Sequence, residues 1–324
     1  MIDLLGLEPQ VISKNLRGKY ILLYGQPGIG KTSIAAEFEK VLIAGFEMGS
    51  NALHNVYVQP IKTWNEWKET VKQLCKKPEL KDKFHSIAID TVDEAWALCV
   101  KYVCSQQGID KLRDLGWGEG WDAAKKEFSG TFRDLAYNGY GLIFTSHSIE
   151  KTKTNDKGEE FEYTCPALQK TAFDVVNKMV DIIGYIREVQ SENEENRTQK
   201  RYLFFRDTQG NRFLAKSRYK YIKPYIELSY NSLVEAIYEA IDEEVKRKGG
   251  TASEEENPYT KLNFDELMTD AKTLWQSIVD KQLVQEVEKI LEKEFGKPTK
   301  FSEITSDQVD SLYKVIYEVR SLLE

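Results

Sequence analysis

Gly25-Gln26-Pro27-Gly28-Ile29-Gly30-Lys31-Thr32 fits the pattern G-x-x-x-x-G-K-[ST], in which a glycine-rich turn wraps a chain of phosphates. The flanks supply the context that the pattern requires. Tyr20-Ile21-Leu22-Leu23-Tyr24 reads as a buried strand entering the loop, and residues 32–40 read as a helix leaving it. Backbone N–H groups and the helix N-terminus then face the anion. Lys31 adds a point charge for the β- and γ-phosphates, the Thr32 hydroxyl is placed to ligate Mg²⁺, and Ser33 follows in the same turn. The expected ligands are ATP and Mg²⁺. A glycine-rich turn that binds nothing is the alternative, and the spacing and both flanks argue against it.

The chain of 324 residues can bury one large α/β core, or one core and a small appendage. Apolar residues make up 41% and charged residues 30%, the balance of a water-soluble protein. No apolar run approaches the ~18 residues that span a bilayer, and Met1-Ile2-Asp3-Leu4-Leu5 lacks the pattern of a signal peptide. A cytoplasmic location without membrane contact is expected. Cys75, Cys99, Cys104 and Cys165 form no C-x-x-C pair and read as reduced structural thiols. Residues 250–324 hold 16 acidic and 9 basic residues, which accounts for the whole net charge of −7. The neutral remainder does not advertise nucleic-acid binding, but it leaves room for a local basic groove.

Strand-like and helical stretches alternate through the first 190 residues, the pattern of βαβ units and a mostly parallel sheet. Strands are expected at 41–46, 86–90, 141–145 and 180–189, and helices at 63–75, 92–107, 121–137 and 168–177. Residues 149–163 are polar, with a turn signal at Asn155-Asp156-Lys157-Gly158, and read as a mobile hairpin. Residues 201–206 and 212–216 read as a late antiparallel hairpin around Gln209-Gly210. In Gly116-Trp117-Gly118-Glu119-Gly120-Trp121, packing of the tryptophans onto the next helix is favoured over base stacking. A helix over 229–248 closes the core, assigned to residues 1–248. Residues 249–258 read as a linker, rich in Gly and Glu. Residues 259–324 read as an acidic module of three helices, near 263–279, 281–294 and 306–323. Thr305-Ser306-Asp307 offers caps for the last.

A phosphate-binding loop needs an acidic partner on a neighbouring strand to hold Mg²⁺, and Ser86-Ile87-Ala88-Ile89-Asp90 ends in one. Hydrolysis also needs a carboxylate that activates water. Asp93 and Glu94 follow Asp90 closely, whereas Glu47 ends the second strand in Gly45-Phe46-Glu47. Thr91, not Glu, stands directly after Asp90, which favours Glu47. Thr145-Ser146-His147-Ser148 ends another strand, where His147 can contact the γ-phosphate. Lys216-Ser217-Arg218 supplies two cations of the kind that stabilise transferring phosphoryl groups across a subunit interface.

Taken in order, the loop, Gly45-Phe46-Glu47, Ser86 to Thr91, Phe144-Thr145-Ser146-His147 and Lys216-Ser217-Arg218 resemble the phage-type RecA-core ATPases, including the Sak-four group of single-strand annealing recombinases. The resemblance covers roughly residues 10–245. It implies a RecA-like P-loop NTPase core that self-associates as a ring or filament, with ATP at subunit interfaces, in a phage protein acting in a bacterial host. It implies Glu47 as catalytic base, His147 as γ-phosphate sensor, and Lys216 and Arg218 as cations acting in trans. It also implies single-stranded DNA contacts near Lys151, Lys153 and Lys157, with annealing or strand exchange as the activity. A single-strand binding protein or another replication protein is an expected partner. Two other classes stay open: a helicase loader or motor, and a nucleotide-gated scaffold that recruits replication proteins through the acidic tail.

Overall fold

The computed structural model describes residues 11–14, 16–49, 53–77, 79–155, 157–190, 199–253, 264–305 and 308–323. Strand β1 (Tyr20–Gly25) leads through the glycine loop into α1 (Lys31–Ala36). Next come β2 (Val41–Gly45), β3 (Tyr57–Pro60), α2 (Trp64–Lys76) and α3 (Glu79–Lys83). After β4 (Ser86–Asp90), α4 (Val92–Gln107) and α5 (Glu119–Tyr137) form a helical pair. Strands β5 (Gly141–Thr154) and β6 (Glu160–Pro166) precede α6 (Lys170–Met179). Then follow β7 (Ile182–Gln190), β8 (Gln199–Phe204), β9 (Lys216–Ser217), β10 (Tyr225–Glu227) and α7 (Tyr230–Lys248). The tail holds α8 (Phe264–Asp280), α9 (Val284–Phe295) and α10 (Val309–Leu323).

The sheet runs β10-β8-β7-β1-β5-β4-β2-β3, with β6 added to β5 and β9 to β7. From β7 to β3 every pairing is parallel, whereas β8 and β10 run antiparallel. The fold is thus a mixed α/β P-loop NTPase with a mostly parallel central sheet. Its order matters for the site. Strand β5 lies between β1 and β4, so side chains such as Thr145 and His147, midway along β5, sit between the phosphate loop and Asp90. Strands β1, β2 and β4 end at one edge, beyond which β5 runs on, and such edges are where open α/β sheets bind ligands.

Alternation along β1 shows how the strands choose their faces. Leu22 and Tyr24 join the apolar layer under α2, α4, α5 and α6, while Ile21 and Leu23 join the layer under α1 and α7. Thr63 caps α2 in a reciprocal capping box with Glu66, worth about 1 kcal/mol. The buried indoles keep their polar handles satisfied. Trp64 Nε1 donates to Glu127 Oε1 at 2.9 Å and Trp67 Nε1 donates to Thr131 Oγ1 at 3.0 Å. Phe128, Phe132 and Phe144 continue this layer edge to face, with centroids 4.8 and 5.1 Å apart, each pair adding about 0.5–1.5 kcal/mol beyond its buried area.

Four expectations from the sequence are revised. The helix after the loop stops at Ala36 rather than 40, because Phe38 turns into the core against Tyr230 and Lys40 takes a left-handed conformation that returns the chain to β2. Residues 201–206 and 212–216 do not pair with each other. The edges of β8 are taken by β7 and β10, and Lys216 and Ser217 pair instead with the start of β7. Between them Asp207 accepts from the N–H groups of Gln209 and Phe213, and Phe213 packs on Tyr185 and Phe204. Trp117 is not packed. It stands fully exposed at a left-handed position. Finally, Thr251–Ser253 do not run free, since Ser253 exchanges backbone hydrogen bonds with Ile12 and Lys14 at 3.0 and 2.8 Å.

The remaining linker residues 254–258, the tail start at 259–263, Met1–Leu5, Asp156, and the caps Ser306 and Asp307 lie outside the described residues. Helices α8, α9 and α10 pack around an apolar cluster of their own, including Ile278, Leu291, Leu312 and Val319. They touch the core where Tyr313 Oη donates to Asn138 Oδ1 at 2.7 Å. Among the described residues, no helix is long and apolar enough to cross a membrane.

Candidate nucleotide and nucleic-acid site

The glycine loop is shaped by two close constraints. A methyl group at Gly25 would lie 2.5 Å from the Ile186 carbonyl oxygen on β7, and Gly30 has φ 108, a conformation that only glycine adopts without strain. Lys31 follows, buried, with Nζ donating to the carbonyls of Gly25 at 3.1 Å and Gln26 at 3.0 Å. Burial pushes the pKa of Lys31 down, while the carboxylates of Asp90, Asp93 and Glu47 pull it back up. An anion in the loop would replace weak carbonyl partners with charge-assisted ones. Gln26, Pro27 and Gly28 are exposed at the crest, Ile29 anchors the loop in the core, and Ser33 is exposed one residue beyond Thr32.

Thr32 Oγ1 donates to Asp90 Oδ2 at 3.0 Å. Thr145, within β5, donates a short hydrogen bond to Asp90 Oδ1 and a longer one of 3.3 Å to the Ile89 carbonyl. The strand order thus explains why Asp90, buried to 3% exposure, is held from both sides. Thr91 Oγ1 and Asp93 Oδ1 are buried oxygens without a hydrogen-bond partner. The Thr32 hydroxyl and the Asp90 carboxylate are hard oxygen donors of the kind that suit a hard cation. Mg²⁺ binds this way, through one or two carboxylates and substrate phosphates.

His147 of β5, Asp93 of α4 and Glu47 after β2 converge beside this pair. His147 Nδ1 lies 3.0 Å from Asp93 Oδ2, and its Nε2 lies 3.7 Å from Glu47 Oε2. Glu47 is backed by its own N–H, which donates to the Asp90 carbonyl at 3.1 Å. Glu94 is exposed on α4. Of the three carboxylates open as bases, Glu47 and Asp93 therefore share one histidine, and Glu94 stands apart. The motif reading treated His147 and Asp93 separately. Their pairing follows from β5 being the neighbour of β4, which local pattern does not reveal.

Lys216 and Arg218 lie elsewhere. Ser217 pairs with Ile182, and Ile182 with Ile21, whereas the loop begins at Gly25 beside Ile186. Four residues of strand, about 13 Å, separate them from the phosphate end. Both are engaged: Lys216 Nζ donates to the Asn177 carbonyl at 2.6 Å and to its Oδ1 at 3.0 Å, and Arg218 pairs with Asp181 at 3.1 Å.

Residues 149–163 form part of the β5–β6 arm, an antiparallel ladder from Ser148–Pro166 to Thr154–Glu160. Opposed residues share a face and successive residues alternate. One face therefore carries Ile149, Lys151 and Lys153 with Cys165, Tyr163 and Phe161, and the other carries Glu150, Thr152 and Thr154 with Thr164, Glu162 and Glu160. Lys153 Nζ sits 3.1 Å from the Tyr163 ring centroid, and the Arg212 guanidinium 5.8 Å from that of Phe161. Lys157 is exposed at the turn.

Residues 17–219, which span all of these elements, match the family described as AAA domain. The chain belongs to this family of P-loop ATPases. The AAA domain chain is also similar to the SPbeta prophage-derived uncharacterized protein YorG of Bacillus subtilis (strain 168), with 28% identity over 332 residues and 99% of each chain covered. Among solved structures it is similar to the flagellar accessory protein FlaH from Methanocaldococcus jannaschii. That likeness has 9% identity, a TM-score of 0.36, and covers 66% of this chain and 85% of FlaH.

Proposed function

We propose that this AAA domain protein is a phage ATPase of the annealing-recombinase type, hydrolysing Mg²⁺-ATP and binding single-stranded DNA along the β5–β6 arm. Thr32 and Asp90 hold Mg²⁺, which when bound neutralises phosphate charge. Lys31 holds the phosphates, and Glu47 takes the proton from the attacking water. Asp93, 3.0 Å from Nδ1, orients the His147 ring so that Nε2 faces Glu47, where the ring would report on the γ-phosphate. Similarity to a prophage-derived protein along the full length supports the phage setting.

The observation that carries the DNA reading is the division of the arm into a lysine–aromatic face and an acidic face. Along the chain the charges cancel, but on the folded arm they do not. Lysines interleaved with aromatic rings are what sequence-tolerant single-strand binders present to phosphates and bases. The test is ATP turnover and DNA binding with and without single-stranded DNA. The double variant Lys151→Ala/Lys153→Ala is expected to lose stimulation by DNA and to flatten the salt dependence by about 0.7 per phosphate contact. Glu150→Gln/Glu162→Gln, on the other face, is expected to keep both. Wild-type affinity and salt slope in the lysine variant would sink the reading, and no response of the wild type to DNA would favour the scaffold class.

Assembly with ATP between subunits is proposed on the same basis. Lys216 and Arg218 lie too far along β7 to reach their own loop, so a role at phosphate requires a neighbouring subunit and release from Asn177 and Asp181. Mixing Arg218→Ala with Lys31→Ala subunits is expected to restore turnover at interfaces that combine an intact loop with an intact arginine. A co-assembled mixture no more active than its components would make these cations structural.

A further inference from the structure

The flank of the phosphate loop away from Asp90 and Glu47 is formed by β7 and β8, and β8 brings a second cation to it. A methyl group at Gly30 would meet Leu228 Cδ2 at 3.4 Å and Arg201 Nη1 at 3.6 Å. Leu228 N donates to the Arg201 carbonyl at 2.8 Å, which ties this end of β8 to the segment before α7. Arg201 opposes Glu188 across the β7–β8 ladder, and its Nε donates to Glu188 Oε1 at 3.2 Å. One edge of the guanidinium is therefore held by Glu188, while Nη1 is turned toward the loop. Among the described residues, neither Nη group has a hydrogen-bond partner. Both side chains of the ion pair are partly exposed, at 47% and 38%, so the pair is weak and yields readily to a stronger anion. A planar guanidinium matches phosphate oxygens better than an ammonium does. Lys216 and Arg218, by contrast, sit at the far end of β7.

We propose that Arg201 contacts the phosphates of the bound nucleotide within its own subunit. Nη1 donates to a phosphate oxygen lying over Gly30, and Glu188 keeps the guanidinium aimed. The proposal rests on the nucleotide reading above, and its test separates the two. Mg²⁺-ATP and Mg²⁺-ADP are titrated calorimetrically into the full chain and its variants, and thermal unfolding is recorded with and without nucleotide. Arg201→Ala is expected to weaken both nucleotides about 10- to 100-fold, the loss of one charged hydrogen bond. Its unfolding midpoint without nucleotide is expected to stay at the wild-type value. Arg201→Lys is expected to fall between the two, because the ammonium keeps charge but loses the fork. If Arg201→Ala binds ATP as the wild type does while Lys31→Ala does not, Arg201 has no such role and the loop assignment stands. If both variants bind ATP as the wild type does, the nucleotide reading itself fails. Should the alanine variant not fold, Arg201→Lys decides alone: wild-type affinity overturns the proposal, and a severalfold loss in a folded protein supports it.

Discussion

Lys31→Ala is expected to abolish tight binding of Mg²⁺-ATP while leaving a cooperative thermal transition. The lysine is buried at the base of the loop, and its partners are two carbonyls rather than a carboxylate. Its removal therefore breaks no direct ion pair, which is a usual reason such a change unfolds a protein. What disappears is the one cation inside the loop, facing Asp90, Asp93 and Glu47, the three carboxylates that raise its pKa. Without it, a polyphosphate would face Asp90, Asp93 and Glu47 with no buried lysine at the base of the loop to offset them. Calorimetric titration of the folded variant reads this directly, and near-wild-type affinity would remove the loop from the site.

The second large effect concerns hydrolysis without loss of binding. Glu47→Gln is expected to bind ATP and turn it over 10²- to 10⁴-fold more slowly, the range for a lost general base. The amide keeps the shape but cannot take a proton. Glu94→Gln is expected to retain activity, since Glu94 is exposed on α4 away from His147. Asp93→Asn is the discriminating partner, because Asp93 touches the same imidazole at 3.0 Å. If Asp93→Asn or Glu94→Gln stops turnover in single-turnover assays while Glu47→Gln stays active, the base lies on α4, and the second strand has no catalytic role.

The loop, the strands of the parallel sheet and the long helices could be read from local pattern because each carries its own signal. The loop is announced by the spacing of its glycines ahead of Lys31-Thr32, and the strands are short apolar runs bounded by polar turns. The late hairpin failed for the opposite reason. A strand such as 201–206 states that it is extended but not with whom it pairs, and here the partner is fixed by the edge that β7 offers. The site divides in the same way. Lys31, Thr32 and Asp90 follow from a motif and a strand end. The contact of His147 with Asp93 depends on β5 being inserted beside β4. Arg201 belongs to no motif and comes near Gly30 only because β8 folds back on β7. The arm was readable in principle. Counting its charges along the chain conceals what counting alternate residues reveals, because Lys151 and Lys153 share one parity, and Glu150, Glu160 and Glu162 share the other.

One strand joins the two halves of the proposed activity. Strand β5 runs without interruption from Gly141 to Thr154. Its inner part is clamped between β1 and β4, Thr145 holds Asp90, and its outer part carries Lys151 and Lys153. From Leu142 to Thr154 it contains neither glycine nor proline, and β6 stiffens its outer half at seven consecutive positions. It is therefore a lever without a joint. Eight residues separate Thr145 from Lys153, roughly 26 Å of strand, so a tilt of about 5° at the clamped end sweeps the lysine tip through roughly 2 Å. An ångström-scale tilt at the clamped end would reach the arm magnified, as a stroke rather than a local adjustment.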